Sequence, residues 1–161
     1  MNIKIADIAK SYIGKNEVPG NMGFTDKVFE KKMIDVGFVK SWAWCALFLE
    51  LCVKEGNPDF YKLHEKLFSA SATSTYKNFD IAKKTKQLPS VGDGVIWRFG
   101  NGWQGHAGIV ISITDDGFYS IEGNTNAAGG REGIEVARKK RLLKTPYSPK
   151  GLNLVGFIDF T

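Results

Sequence analysis

The sequence lacks the features that mark several special classes of protein. Its 161 residues contain no apolar run near the length of about 18 residues that a membrane-spanning helix requires. The first residues form no continuous apolar segment and include Asp7, so they do not resemble a secretory leader. No CxxC pair, HExxH motif or acidic calcium-binding loop is present. We therefore expect no membrane span, no metal and no cofactor.

Cysteine and histidine are scarce, with two of each in the chain. Cys45 and Cys52 are seven residues apart in what the pattern predicts to be one helix. A rise of about 1.5 Å per residue separates them by about 10 Å, which is too far for a disulfide. Two free thiols indicate that the chain folds in a reducing compartment.

Composition indicates one globular domain over residues 1–161. The hydrophobic fraction is 43% and the aromatic fraction 12%, enough for a single core. The net charge of +5 suits an acidic partner, and it is equally explained by solubility. The basic run at 138–141 lacks the interleaved aromatic residues of a single-strand-binding surface, so nucleic acid is not an expected partner.

The two halves of the chain differ in their periodicity. Three-and-four spacing predicts helices over 5–13, 28–36, 45–53 and 73–84, with Thr25 and Ser41 as candidate caps for the second and third. Short β-rich runs separated by turns follow at 95–97, 107–113, 118–121 and 154–160. We therefore predict an α+β fold in which N-terminal helices pack on a C-terminal antiparallel sheet. The segment 123–133 is predicted to be a loop beside a site.

Three residues in this arrangement suit a cysteine hydrolase. Cys45 stands at the start of the third predicted helix, where the helix dipole favours a thiolate, and Cys52 lies two turns further in. His106 begins a strand between two glycines. Glu122 or Asn124, two apart on the next strand and so expected on one face, could accept a hydrogen bond from the His106 ring.

Each of these residues alone has an ordinary structural explanation. A cysteine on an apolar helical stripe is usually a small core residue, and a histidine at a strand end is usually structural. The combination, in this order and on these element types, favours nucleophilic catalysis over coincidence.

Four motifs resemble the CHAP family, the cysteine- and histidine-dependent amidohydrolases and peptidases. They are Trp44-Cys45 at a helix start, the run Gly-His-Ala-Gly-Ile-Val at 105–110, Glu-Gly-Asn at 122–124, and Pro-Ser-Val-Gly-Asp-Gly-Val at 89–95. The resemblance extends over nearly the whole chain. It implies a papain-like fold and cleavage of an amide bond in bacterial peptidoglycan.

The resemblance also implies roles for residues. Cys45 would be the nucleophile, His106 the general base and acid, Glu122 its orienting partner and Asn124 a polar assistant, with a thioester acyl-enzyme as intermediate. Trp44, Trp97 and Trp103 are candidate walls of a cleft for glycan or stem peptide, although each is equally well explained as a core or rim aromatic.

The expected protein is a monomeric muramoyl-L-alanine amidase or peptidoglycan endopeptidase. It would be made in the cytoplasm and would act in the periplasm or cell wall, as a phage endolysin released by a holin or as an effector delivered by a secretion machine. The alternative is a non-catalytic wall-binding or structural protein that keeps the fold. A basic nucleic-acid-binding domain is a third hypothesis, which rests on charge alone.

Overall fold

A computed structural model describes residues 2–125 and 133–161. The first part of the chain is helical, as predicted. Its helices are α1 (Ile3–Ser11), α2 (Lys27–Ile34), α3 (Cys45–Gly56), α4 (Pro58–His64) and α5 (Ala72–Ile81), with a 3₁₀ turn at Glu65–Leu67.

The helix starts differ in detail from the sequence prediction. α2 is capped by Asp26, whose carboxylate accepts from the backbone N–H of Val28 and Phe29, and not by Thr25. Ser41 lies upstream of α3 in a left-handed conformation (φ 71°) and does not cap it. α4 was not predicted, since a proline after a glycine is typical of a helix end. Pro58 instead occupies the first turn of this new helix, where proline is tolerated.

The second part of the chain forms a six-stranded antiparallel sheet. Its strands are β1 (Thr85–Lys86), β2 (Gly94–Phe99), β3 (Gly105–Ile113), β4 (Gly117–Thr125), β5 (Glu135–Leu142) and β6 (Leu152–Ile158). They lie in the order β1-β6-β2-β3-β4-β5. The α+β prediction is confirmed.

Two parts of the sheet depart from the prediction. β5 was not predicted, since its basic residues suggested an exposed patch. Residues 123–125, predicted as the beginning of a loop, belong to β4, and 126–132 lie outside the described residues.

The larger core cluster lies between the helices and the sheet. α3 is the central helix, with nearly every residue from Cys45 to Val53 buried, and it packs on β3 and β4. A smaller cluster contains Val95, Trp97, Val110, Phe118 and Phe157. Since Val110 alternates with Ile109 and Ile111 of the larger cluster, the two clusters occupy opposite faces of β3.

Both ends of the described chain are tied to this core. The Asn2 side-chain amide donates to the backbone carbonyl of Phe160 at 3.0 Å, and the Asn2 backbone N–H donates to Val91 at 2.9 Å. None of the helices in residues 2–125 and 133–161 combines the length and apolar character needed to cross a bilayer.

Candidate active site

Cys45 is the first residue of α3 and is held there by the aromatic residue before it. Trp44 is fully buried, and its indole N–H donates to Glu17 at 2.6 Å. Gly123 of β4 allows this contact between sheet and helix, because a Cβ at that position would lie 2.5 Å from the Trp44 ring. The Cys45 side chain, in a residue 5% exposed, therefore sits at a fixed place where the helix dipole stabilises a thiolate.

His106 lies on β3 and is hydrogen-bonded to Glu122 of β4. Its Nε2 is 2.8 Å from Glu122 Oε2, and both side chains are fully buried. The two candidate partners were the Glu122 carboxylate and the Asn124 carboxamide. Of these, Glu122 is the one that contacts the His106 ring. This contact fixes the ring orientation and leaves Nδ1 as the nitrogen available to a second partner.

The Cys45 side chain lies near the His106 ring. Nδ1 has no geometrically complete hydrogen bond in the described part of the chain. Nevertheless, the Cys45 and His106 side chains are close enough to shift each other's pKa. We interpret this as a loose Nδ1–Sγ contact, as is common for catalytic pairs without substrate.

The pKa shifts favour a thiolate–imidazolium pair. Burial raises the pKa of Cys45, but His106 and the backbone N–H groups of Ala107 and Ala46 lower it, with a net pKa below the ordinary value. Burial lowers the pKa of His106, but Cys45 and Glu122 outweigh it and raise that pKa to about 9. By contrast, burial raises the pKa of Cys52 well above the ordinary value. Of the two thiols, Cys45 is the one whose pKa lies below the ordinary value.

Arg141 and Ser120 hold the Glu122 carboxylate, and the sequence analysis assigned neither to the site. Arg141 Nε donates to Oε1 at 2.8 Å, its terminal nitrogen donates to Oε2 at 2.5 Å, and Ser120 Oγ donates to Oε1 at 2.6 Å. Burial raises the pKa of Glu122, but Arg141 and His106 lower it to about 2. The Glu122 carboxylate is therefore ionised, and hydrogen bonds hold both of its oxygens in place. Strand alternation along β5 could have identified Arg141, because it places Arg141 on the opposite face from the exposed residues of the basic run.

Asn124 lies at an irregular point of β4. It is 2% exposed and has φ 53°, and the pairing of β4 with β5 shifts between Glu122 and Thr125. The two-residue alternation used to place Asn124 beside Glu122 therefore does not hold through this position. No hydrogen bond between Asn124 and His106 is formed among the described residues.

The three tryptophans named as cleft walls have different environments. Trp44 is a core residue packed among Phe24, Phe29 and Phe48, so its predicted place in a cleft wall is wrong. Trp97 is also buried and lies beneath the site, with its ring 5.7 Å from the His106 ring. It supports the site and is not part of an open wall.

Trp103 is the one of the three that a ligand could reach, at 77% exposed. It lines the same groove as a second exposed tryptophan, Trp42, which is 50% exposed and which the sequence analysis did not single out. The sequence feature that could have singled out Trp42 was its position three residues before Cys45.

No group of three histidine, cysteine or acidic side chains converges on one point in residues 2–125 and 133–161. What the arrangement can do chemically is attack a carbonyl carbon with a thiolate and return a proton from an imidazolium.

Comparison with known proteins identifies the family. A model described as "CHAP domain" matches residues 36–124, more than half of the chain, and this stretch contains Cys45, His106, Glu122 and Asn124. Searches of curated proteins and of solved structures found no match. CHAP domains are generally cysteine- and histidine-dependent amidohydrolases that act on peptidoglycan, and this chain belongs to the CHAP family.

Proposed function

We propose that the protein is a peptidoglycan hydrolase that cleaves an amide bond with Cys45 as nucleophile. The observation that carries the proposal is the buried series Cys45–His106–Glu122–Arg141, with the thiol at a helix start and Nε2 of the imidazole 2.8 Å from the carboxylate. The helix start and the imidazolium are the two features that turn a thiol into a thiolate nucleophile at neutral pH.

The proposed reaction has two halves. In the first, the Cys45 thiolate adds to the amide carbonyl, and the backbone N–H groups at the first turn of α3 stabilise the oxyanion. The His106 imidazolium then gives its proton to the leaving amine as the carbon–nitrogen bond breaks, which leaves a thioester on Cys45. In the second half, His106 takes a proton from water, the hydroxide adds to the thioester carbon, and the carbon–sulfur bond breaks. This step restores the Cys45 thiolate beside the imidazolium, and the carboxylic acid product gives its proton to the solvent as it leaves.

The other residues keep His106 in place during these proton transfers. Glu122 orients the ring and stabilises its charged form, and Arg141 with Ser120 keeps Glu122 ionised and fixed. Asn124, buried two residues beyond Glu122, is proposed as a polar assistant of the same site.

Residues 1–161 are proposed to act as one catalytic domain and as a monomer on the cell wall. Such an enzyme would serve as a phage endolysin or as a lytic effector delivered to the wall. The positive net charge of +5 suits an anionic wall polymer.

The test is mass spectrometry of the soluble products released from purified sacculi. We expect the wild type and Cys52→Ala to release fragments and Cys45→Ala to release none, with all three proteins folded. Cys52→Ala is the matched control because it removes the other buried thiol of the same helix.

Two results would contradict the proposal. Release by Cys45→Ala at the wild-type rate would reject the mechanism. No release by the wild type from sacculi of several wall types would instead favour the alternative, a non-catalytic wall-binding protein that keeps the fold.

A further inference from the structure

Two exposed tryptophans form the sides of an apolar groove. The groove has a volume of about 340 Å³ and is lined by Trp42, Ala43, Ala70, Ser71 and Trp103; we call it the aromatic groove. It contains no charged side chain, and its one polar side chain is that of Ser71. Exposed tryptophans are unusual on a folded surface, since a large apolar ring in water is costly unless something binds it.

The groove adjoins the candidate catalytic residues in the chain and in space. Ala43 lies two residues before Cys45, and Trp103 lies three residues before His106. The turn carrying Trp103 is held against α5, because Thr73 Oγ1 donates to the Trp103 carbonyl at 2.7 Å. A molecule in the groove would therefore lie near Cys45 and His106.

The neighbouring surface has the opposite character. On the other side of Trp103, a groove of about 410 Å³ carries Lys77, Asp80 and Arg98. Within the part of the chain that the structure describes, Lys77 and Arg98 form no salt bridge, so both cations are free for an anionic ligand. The aromatic groove is uncharged although charged side chains are available next to it.

These properties select among the parts of peptidoglycan. The residues of its peptides are small or charged, and neither kind suits an apolar groove that is lined by two indole rings and offers no counter-ion. The glycan is a chain of neutral N-acetylated pyranose rings whose apolar C–H faces stack well on aromatic rings.

Resting on the proposed function, we propose that the aromatic groove binds the N-acetylated sugar that carries the stem peptide. The bond that Cys45 cleaves is then the amide between the lactyl carbonyl of that sugar and the first amino acid. The lactyl carbonyl becomes the thioester on Cys45, the amino group of the peptide leaves with the proton from His106, and water releases the sugar with a free lactyl carboxylate. The enzyme is thus an amidase and not an endopeptidase.

The kinetic test compares two substrates that differ by one ring. The first is a muramoyl peptide; the second is the same peptide carrying a lactyl group alone, which keeps the scissile amide and lacks the sugar. We expect kcat/KM to be at least about tenfold higher for the muramoyl peptide, as loss of one stacking contact predicts. Trp42→Ala and Trp103→Ala should each remove about this preference, which lowers kcat/KM for the muramoyl peptide toward the value for the lactyl peptide.

The matched control is Tyr147→Ala. Tyr147 is another exposed aromatic residue, 57% exposed, and it lines a different groove with Leu88 and Leu143. This variant should keep the full preference for the muramoyl peptide. Thermal melting of all variants checks that each is folded.

A binding measurement tests the same point without turnover. The disaccharide of N-acetylglucosamine and N-acetylmuramic acid is titrated into Cys45→Ala, and the four indole N–H signals are followed by NMR. The signals of exposed Trp42 and Trp103 should shift, and those of buried Trp44 and Trp97 should not.

The outcomes separate this inference from the proposed function. Cleavage between two amino acids, or equal rates on the two substrates, would overturn the amidase inference while the hydrolase stands. No cleavage of either substrate or of sacculi would reject the proposed function and, with it, this inference.

Discussion

At the scale of single residues, the site depends on a row of neighbouring ionisable side chains. Each of them shifts the pKa of the next. Arg141 keeps Glu122 ionised, Glu122 raises the pKa of His106, and His106 lowers that of Cys45. A buried carboxylate without its cation would lose much of this effect, because burial alone raises its pKa. Arg141 is therefore as important to the proposed mechanism as Glu122, although it does not touch the reacting atoms.

Replacing Arg141 tests this dependence. We expect Arg141→Gln to lower kcat by about 10- to 100-fold, because Glu122 no longer holds His106 in place. Without Arg141 the pKa of Glu122 rises, so Glu122 stabilises the His106 imidazolium less and the pKa of His106 falls. The alkaline limb of the pH–activity profile should therefore move to lower pH. Arg141→Lys, which keeps the charge without the two-pronged contact, should retain the pH profile better than the rate.

The control for Arg141 is its neighbour Arg138. The Arg138 guanidinium lies over the Tyr119 ring at 3.9 Å, away from Glu122. Arg138→Gln should leave both the rate and the pH profile unchanged. A wild-type pH profile in Arg141→Gln would show that Arg141 only stabilises the fold.

At the scale of elements, α3 and α4 meet at a buried carboxyl group. Glu50 of α3 is 7% exposed and accepts from the Tyr61 hydroxyl of α4 at 2.8 Å. Burial raises the pKa of Glu50 to about 7. The Tyr61 hydrogen bond and Lys54 lower this pKa, but they offset only part of the effect of burial. The folded protein therefore holds this proton more tightly than the unfolded chain, so stability falls as pH rises from the ordinary glutamate pKa through about 7.

Glu50→Gln should remove this pH dependence. The amide keeps the shape and cannot ionise, so we expect the variant to be about 1–2 kcal/mol more stable than the wild type at pH 8. At pH 4, where wild-type Glu50 is protonated in both states, the two proteins should differ little. Urea unfolding at the two pH values measures the difference.

The control for Glu50 is Asp115→Asn, which neutralises an exposed carboxylate in the turn between β3 and β4. It should change stability little at either pH. Equal stability of Glu50→Gln and wild type at pH 8 would mean that the Glu50 carboxylate is well solvated in the folded protein.

At the scale of the whole molecule, the site needs parts of the chain outside the 36–124 match. β5 supplies Arg141, and β6 lies between β1 and β2. α1 packs on α3 and β3, and Asn2 is hydrogen-bonded to Phe160. The core that fixes Cys45 is therefore shared between the matched segment and both flanks.

A fragment of residues 36–124 should not fold. It would expose the surfaces of α3 and β3 that α1 covers and the strand edges of β2 and β4 that pair with β6 and β5. A chain of that size has little other core. We expect a poorly dispersed NMR spectrum for the fragment, and one cooperative transition, at the same midpoint by circular dichroism and fluorescence, for the full chain. A folded fragment would show that the flanks are accessory.

The sequence by itself determined the α+β class, four of the helices, the central strands and three of the residues at the site. These follow from local spacing: Cys45 begins an apolar helical stripe, and His106 and Glu122 lie on short β-rich runs. Local pattern could not find β5, because a half-exposed edge strand rich in Arg and Lys has the composition of a surface patch.

Only the tertiary structure decided which side chains meet. It placed Arg141 on Glu122, buried Trp44, exposed Trp42 beside Trp103 and turned Asn124 out of regular alternation. Each of these depends on contacts between residues distant in the chain, as between β4 and β5 or between Trp44 and Glu17. Burial and pKa are set by such neighbours, whereas helix and strand periodicity is written in the order of residues alone.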